Sequence, residues 1–559
     1  VKLPAFTLEN PQLWSCEFPQ LYNAEVVVTA DGMVVDSLTE QFGIRSLEFS
    51  PEFGFKLNGK KIFLQGNANH HDLGALGAAS YDRAIERMML QLKSFGYNCI
   101  RCSHNPYSES FARIADRVGM LVVNELTDKW SDNDYWGGRQ PFTYLWHKLI
   151  TEWIKRDRNR PSIILWSLGN ELQIREGWAG FEGTNDWGIT TYNIFNQLVK
   201  RWDHTRLTTV AMFPARAGAI TRHDKEFNDY LVPPELACAT EVASFNYQSD
   251  KYDAYLKYQP DLILFQSEAE TSKLLQPYYN MDRKRTVGMA YWGSAEYWGE
   301  SNKWPKKGWN YSFFDHTMRP YPQAYLIKSA FMPEIPEVHI GVVDAAGAES
   351  VSWNDVTVGR MALNECWNHI PGSRQSLFTY TNAHSVELLV NGQSMGVQQN
   401  DTTQANLRNM IYWKDVPYGN GGSVVAIARD KSGKEVARHR IETAGKAVAL
   451  QIETETPADW KADGMDLQYI NVTAIDKKGR PVWDYNEPLT LQMEGAARLV
   501  ALDNGDHYTD ELFQGITSKR MYQGRMQIIL RSTKTPSNVK LKISSADLKE
   551  KLSLKTFLK

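Results

Sequence analysis

Eight apolar runs of strand length, each followed by a helical or loop-like crossover, fill residues 51–335, and no other feature of the chain limits its fold so tightly. The runs are KIFLQGN, YNCIRCS, MLVVNEL, SIILWSLGNE, LTTVAMFP, ASFNYQ, LILFQSE and VGMAYWGS. They are largely apolar on both faces, as parallel strands covered by helices must be. Between them lie amphipathic stretches such as YDRAIERMMLQLKSFG, closing at Gly96, and SESFARIADRVG, with apolar residues at helical spacing. The stretch PQAYLIKSAFM closes the series. This count predicts a (β/α)8 barrel, an architecture of ~250 residues. A doubly wound open sheet is the alternative, but no Gly-rich phosphate loop follows any strand.

The flanks have another texture. At 559 residues the chain is too long for one core, so several domains are expected. Residues 1–50 read as alternating strands turning at Asp31-Gly32, the tail end of a β domain. Residues 336–446 and 447–559 alternate apolar and polar positions between tight turns, and predict two further β sandwiches. The whole is a multidomain α/β plus all-β chain, with the catalytic-type barrel over 51–335. A net charge of −3 with well-mixed signs gives no footprint for nucleic acid, and no apolar run approaches the ~18 residues of a membrane span. Five cysteines at irregular spacings do not suggest a disulfide framework. Cys99-x-x-Cys102 lies within a strand-like run and lacks the second pair of a zinc site, so buried free thiols are the simpler reading. The chain begins at Val1 without a signal peptide, and its compartment is not legible from composition.

In such a barrel, chemistry sits where strands end. Those ends carry Asn69, His70, His71 and Asp72; Arg101, Ser103, His104 and Asn105; Asn124 and Glu125; Asn170 and Glu171; Asn246 and Tyr247; Ser267 and Glu268; and Trp292. Glu171 and Glu268 end the fourth and seventh runs and can project over one opening. Retaining glycosidic cleavage needs such a pair, with carboxyl groups ~5–5.5 Å apart. A lone Glu at a strand end is more often a solvated loop residue or a helix cap. His70, His71 and His104 with Glu125 could bind a metal, or could serve sugar hydroxyls as donors, and the second reading is preferred. Arg101 is either a structural ion-pair partner of Glu125 or Glu171, or a cation that lowers a nucleophile's pKa. Tyr247 either orients Glu268 or simply packs, and Trp292 is either a sugar platform or barrel-top packing. Glu270, two residues from Glu268, is a rival nucleophile.

Several motifs in order resemble glycoside hydrolase family 2: GFKLNGKKIFLQGNANHHDLGALG, NCIRCSHNPYS, GMLVVNEL, SIILWSLGNE, LILFQSEAE and MAYWGSAEYWGE. The flanking ENPQLWSCEFPQLYNAEVVV resembles the end of that family's immunoglobulin-like β sandwich over residues 1–50, and SVELLVNGQSMG resembles the extra β sandwiches of its β-galactosidase-like members, with the N-terminal jelly roll missing from this chain. The resemblance implies Glu171 as acid/base and Glu268 as nucleophile. It implies active-site positions for His71, Arg101, His104, Glu125, Asn170, Tyr247 and Trp292. It also implies a β-galactosidase-like exo-β-glycosidase, since no Lys follows Asn310 in the manner of the family's uronic-acid-binding motif. The alternatives are a β-mannosidase, a β-glucuronidase, a marine-galactan enzyme or a non-catalytic carbohydrate-binding protein. A carbohydrate substrate is expected, with no nucleic acid, no membrane span and no required cofactor. Mg2+ or Na+ and a homo-oligomer are left open, and a periplasmic or secreted bacterial setting is favoured.

Overall fold

The computed structural model describes residues 7–130, 142–172, 188–213, 233–301, 303–344, 349–353, 356–455 and 458–558. Contacts divide the chain into two compact units: Val1–His70, Tyr97–Ala269 and Pro277–Trp292 in the first, and His71–Gly96, Glu270–Gln276 and Gly293–Lys559 in the second.

The first unit opens with a hairpin, β1 (Tyr22–Ala30) and β2 (Met33–Phe42), turning at Asp31-Gly32. A small antiparallel sheet follows, β3 (Leu47–Ser50), β4 (Gly54–Leu57) and β5 (Lys60–Lys61), and it straddles residue 50. Lys60 and Lys61 pair with β4, so the first barrel strand starts at Leu64 rather than at the start of KIFLQGN. Eight parallel strands then close a barrel: β6 (Leu64–Asn69), β7 (Cys99–Cys102), β8 (Leu121–Glu125), β9 (Ile163–Asn170), β10 (Leu207–Met212), β11 (Val242–Asn246), β12 (Leu264–Ala269) and β13 (Gly288–Trp292). Neighbours in sequence are neighbours in the barrel, and β13 returns to β6. Every residue of β9 is buried, including its polar end, which explains its nearly unbroken apolar sequence. Cys99 and Cys102 are buried free thiols on β7.

Helices follow the strands along the chain: α1 (Asp82–Ser94), α2 (Glu109–Val118), α3 (Phe142–Asp157), α4 (Ile189–Trp202), α5 (Glu235–Ala239), α6 (Tyr252–Tyr258), α7 (Gln276–Asn280) and α8 (Pro322–Phe331). The sequence of α2 sets both its ends. Ser108 accepts the Phe111 N–H at its start, and Gly119 takes the left-handed conformation, φ 75°, at its end. A Cβ on Gly119 would lie 2.4 Å from the Cys16 carbonyl oxygen, so only glycine fits there. Residues 173–187, in the crossover after the fourth barrel strand, lie outside the described residues.

The second unit holds two sandwiches, each of two four-stranded antiparallel sheets. One runs from Val338–Val343 to Glu435–Glu442 around Ile340, Trp367, Leu388 and Trp413. The other runs from Ala449–Thr454 to Leu548–Lys555 around Trp460, Ile470, Leu491 and Ile528. Helix α1 belongs to this unit: Arg83 pairs with Asp466 at 2.9 Å and Arg87 with Glu455 at 2.7 Å, and Ala84 packs on Leu467 and Ile529.

Candidate active site

The ends of β7, β8, β9, β11 and β12 deliver one continuous polar network. Arg101 lies at its centre and is fully buried. Its Nε and Nη2 donate to Glu125 at 3.1, 3.0 and 2.7 Å, its Nη1 to Glu268 Oε1 at 2.7 Å, and its Nη2 to Asn170 Oδ1 at 2.9 Å. A planar fork with five donors can hold two carboxylates and an amide at once, which a lysine cannot. Glu125 also accepts from Ser167 Oγ at 2.6 Å and sits 2.7 Å from His104 Nδ1. Burial works to raise the Glu125 pKa, but the Arg101 charge and the His104 contact outweigh it and hold the carboxyl below its usual range.

The two carboxylates of interest meet different surroundings. Glu268 accepts from Arg101 on one oxygen and from the Tyr247 hydroxyl on the other, at 2.6 Å. Glu171 accepts at 3.0 Å from Asn246 Nδ2, which also donates to Asn170 Oδ1 at 3.0 Å. Burial, and next the charge of Glu268, push the Glu171 carboxyl up to about 8. Glu268 is thus gripped by a cation, while Glu171 keeps its proton near neutral pH.

Backbone geometry aims these groups. Glu171 and Tyr247 both adopt positive φ, 49° and 60°, a region that costs a non-glycine residue about 1–3 kcal/mol. Each bond that holds them crosses to a neighbouring strand end: Glu171 N–H to Ala211 O at 2.7 Å, and Tyr247 N–H to Glu268 O at 2.8 Å. Register shifts at Thr209/Ala211, Phe245/Asn246 and Gln266/Ala269 fall at these same ends, where bulges re-aim side chains. His104 stacks face to face on Trp292, with centroids 5.1 Å apart, and His70 meets both rings edge-on.

Arg101, His104, Glu125, Asn170, Glu171, Tyr247, Glu268 and Trp292 are therefore brought together. His71 falls in the second unit, where burial lowers its imidazole pKa. Arg101 pairs with Glu125 and Glu268 rather than with Glu171. Glu270 lies beyond the end of β12, in the second unit, and pairs with Lys273 at 2.6 Å, so it does not share a strand face with Glu268. Sequence reasoning placed Asn246 at a strand end without giving it a role, and did not single out Ser167, Asp128 or Lys129. Asp128 accepts from Asn170 Nδ2 at 3.1 Å, and Lys129 donates to Asp128 at 2.6 Å and to the Asn170 carbonyl at 3.0 Å. The one available signal was position: Asn246 ends a strand immediately before Tyr247.

A closed (β/α)8 barrel joined to β sandwiches, with strand-end carboxylates in a charged network, places the molecule among the barrel glycosidases by architecture. Residues 52–287 match the description "Glycosyl hydrolases family 2, TIM barrel domain", residues 1–45 match "Glycosyl hydrolases family 2", and residues 450–552 match "Glycoside hydrolase family 2 C-terminal domain 5". The chain belongs to glycoside hydrolase family 2. It is 27% identical to the beta-galactosidase BoGH2A of Bacteroides ovatus, over 97% of this chain and 67% of that protein. It is 26% identical to a Formosa agariphila protein provisionally named a beta-glucuronidase, over 95% of this chain and 52% of that protein. The chain thus spans about half to two-thirds of the length of these relatives. Among solved structures, a family 2 glycosyl hydrolase from Bacteroides cellulosilyticus superposes with a TM-score of 0.85 at 28% identity, over 98% of this chain and 69% of that one. Among the described residues, no helix is long and apolar enough to cross a membrane.

Proposed function

We propose that the chain is the barrel-bearing part of a retaining exo-β-glycosidase that removes terminal β-D-galactosyl residues. The observation that carries the mechanism is the unequal environment of Glu171 and Glu268. Glu268, held by Arg101 and Tyr247, attacks the anomeric carbon as the glycosidic C–O bond breaks. Glu171 gives its proton to the departing oxygen. In the second step Glu171 takes a proton from water, the water oxygen bonds to the anomeric carbon, and the ester to Glu268 breaks. Glu125 and His104 act by holding Arg101 in place, and Trp292 offers an apolar face for the sugar ring.

The galactosyl preference rests on the similarity to BoGH2A and on the absence of a Lys after Asn310. The similarity to the Formosa agariphila protein supports a β-glucuronidase as the second reading. A panel of p-nitrophenyl β-D-galactoside, β-D-glucuronide and β-D-mannoside separates these. Turnover is expected on the galactoside, with Glu268→Gln reducing kcat by more than about 10⁴-fold. Azide should restore turnover to Glu171→Ala but give a product of retained configuration. Preference for the glucuronide would overturn the sugar assignment, and unimpaired turnover in Glu268→Gln would overturn the nucleophile.

A further inference from the structure

A second cluster of ionisable side chains lies within the second unit, outside the network just described. Glu296, His316 and His507 are 4, 4 and 3% exposed, and their ligating atoms converge. Glu296 and His316 come from the segment that follows β13. His507 comes from the loop after strand Ala497–Asp503 of the last sandwich.

Each group is oriented from behind. The Tyr321 hydroxyl donates to Glu296 Oε1 at 2.8 Å, leaving Oε2 facing the two rings. His316 Nε2 lies 2.8 Å from Asp503 Oδ1, which leaves Nδ1 facing Glu296 Oε2 at 3.4 Å. A carboxylate behind one ring nitrogen is how metal-ligating histidines are commonly fixed. His507 is the telling member. Its Nε2 sits 2.9 Å from Glu296 Oε2, yet neither of its ring nitrogens makes a hydrogen bond among the described residues. A buried imidazole this close to a carboxylate, yet not hydrogen-bonded to it, leaves a ring nitrogen to ligate a cation beside the carboxylate. The two separations, 3.4 and 2.9 Å, bracket the ligand–ligand edge of about 3.3 Å that a tetrahedral site with ~2.0 Å metal–nitrogen bonds would have. Trp298 covers both rings, at centroid distances of 4.6 and 5.1 Å.

We propose that Glu296, His316 and His507 bind one divalent transition-metal cation of the zinc type, as a structural clasp between the segment after β13 and the 503–507 loop. Two imidazoles and a carboxylate suit zinc. A cavity of about 110 Å³, lined among others by Glu296, Asn310, His507 and Tyr508, leaves room for a water at the fourth position. A second trio, His339, Glu365 and His439, provides an internal contrast. There His439 Nδ1 accepts the Ile340 N–H at 3.0 Å, so its Nε2 carries the proton and has no lone pair to give.

Chelator-stripped chain titrated with Zn2+ tests the clasp, read by calorimetry, by thermal melting and by X-ray absorption at the zinc edge. The expected result is one zinc per chain coordinated by two imidazoles and oxygen, with a raised Tm. His507→Ala should weaken binding at least about 100-fold and abolish the Tm rise, while His439→Ala leaves both unchanged. The absorption spectrum needs only the native chain, so it decides the matter even where a variant does not fold. No zinc uptake, a spectrum without two imidazoles, or uptake unaffected by His507→Ala would each overturn the clasp and leave a hydrogen-bonded cluster only.

Discussion

Glu171 and Glu268 are the same side chain in unequal surroundings, and the difference comes from their neighbours. Arg101 and Tyr247 saturate Glu268, whereas Glu171 has one amide donor and a like charge nearby. Burial first, and Glu268 second, raise Glu171 to about 8, so under the proposed mechanism activity should fall as pH rises through about 8 and Glu171 loses its proton. Because the groups interact, this limb belongs to the pair. Replacing Glu268 by Gln removes the like charge, and the Glu171 pKa should fall. Carbon-13 NMR of labelled glutamate in wild type and Glu268→Gln reads this directly, and an unmoved titration would refute the coupling. These two glutamates, with Arg101 and Tyr247, were legible because each ends an apolar run. Asn246 was named only as a strand-end residue, because its part in joining Asn170 to Glu171 depends on the positive φ of Glu171 and on a register shift beside it.

At the scale of elements, local sequence and tertiary fit combine most clearly in α2. Ser108, Glu109, Arg117 and Gly119 mark its ends by ordinary capping rules, and the helix runs where its amphipathic pattern put it. What the pattern could not show is that Cys16, a hundred residues earlier, packs on the glycine's bare face. Gly119→Ala should therefore destabilise the chain by more than about 1 kcal/mol, since it adds both backbone strain and a clash. A capping change such as Ser108→Ala should cost about 1 kcal/mol. Urea melts of the two variants test the order, and a Gly119→Ala chain as stable as wild type would contradict the close approach. Strand boundaries were harder to read than strand existence. KIFLQGN read as one strand, but its first lysine pairs with β4 in a separate sheet.

For the whole molecule, the site is held against its own stability. A carboxyl raised from 4.5 to about 8 binds more protons folded than unfolded, so its contribution to stability falls as pH rises from about 4.5 through about 8. Glu171→Gln removes that dependence, and its Tm should exceed the wild-type Tm by the widest margin at about pH 8 and above. Thermal melts across that range decide it, and an equal margin at every pH would sink the idea. Sequence alone determined the eight-strand alternation, the sandwich texture of the C-terminal region and the identity of the strand-end carboxylates. Those follow from periodicity and from short-range order, which the chain writes locally. Tertiary structure alone decided which carboxylate Arg101 grips, that Glu270 leaves the strand, and that Glu296 and His316 meet His507 about two hundred residues later. Those depend on strand registers, positive-φ turns and loop closures, which are fixed only when distant segments pack against one another.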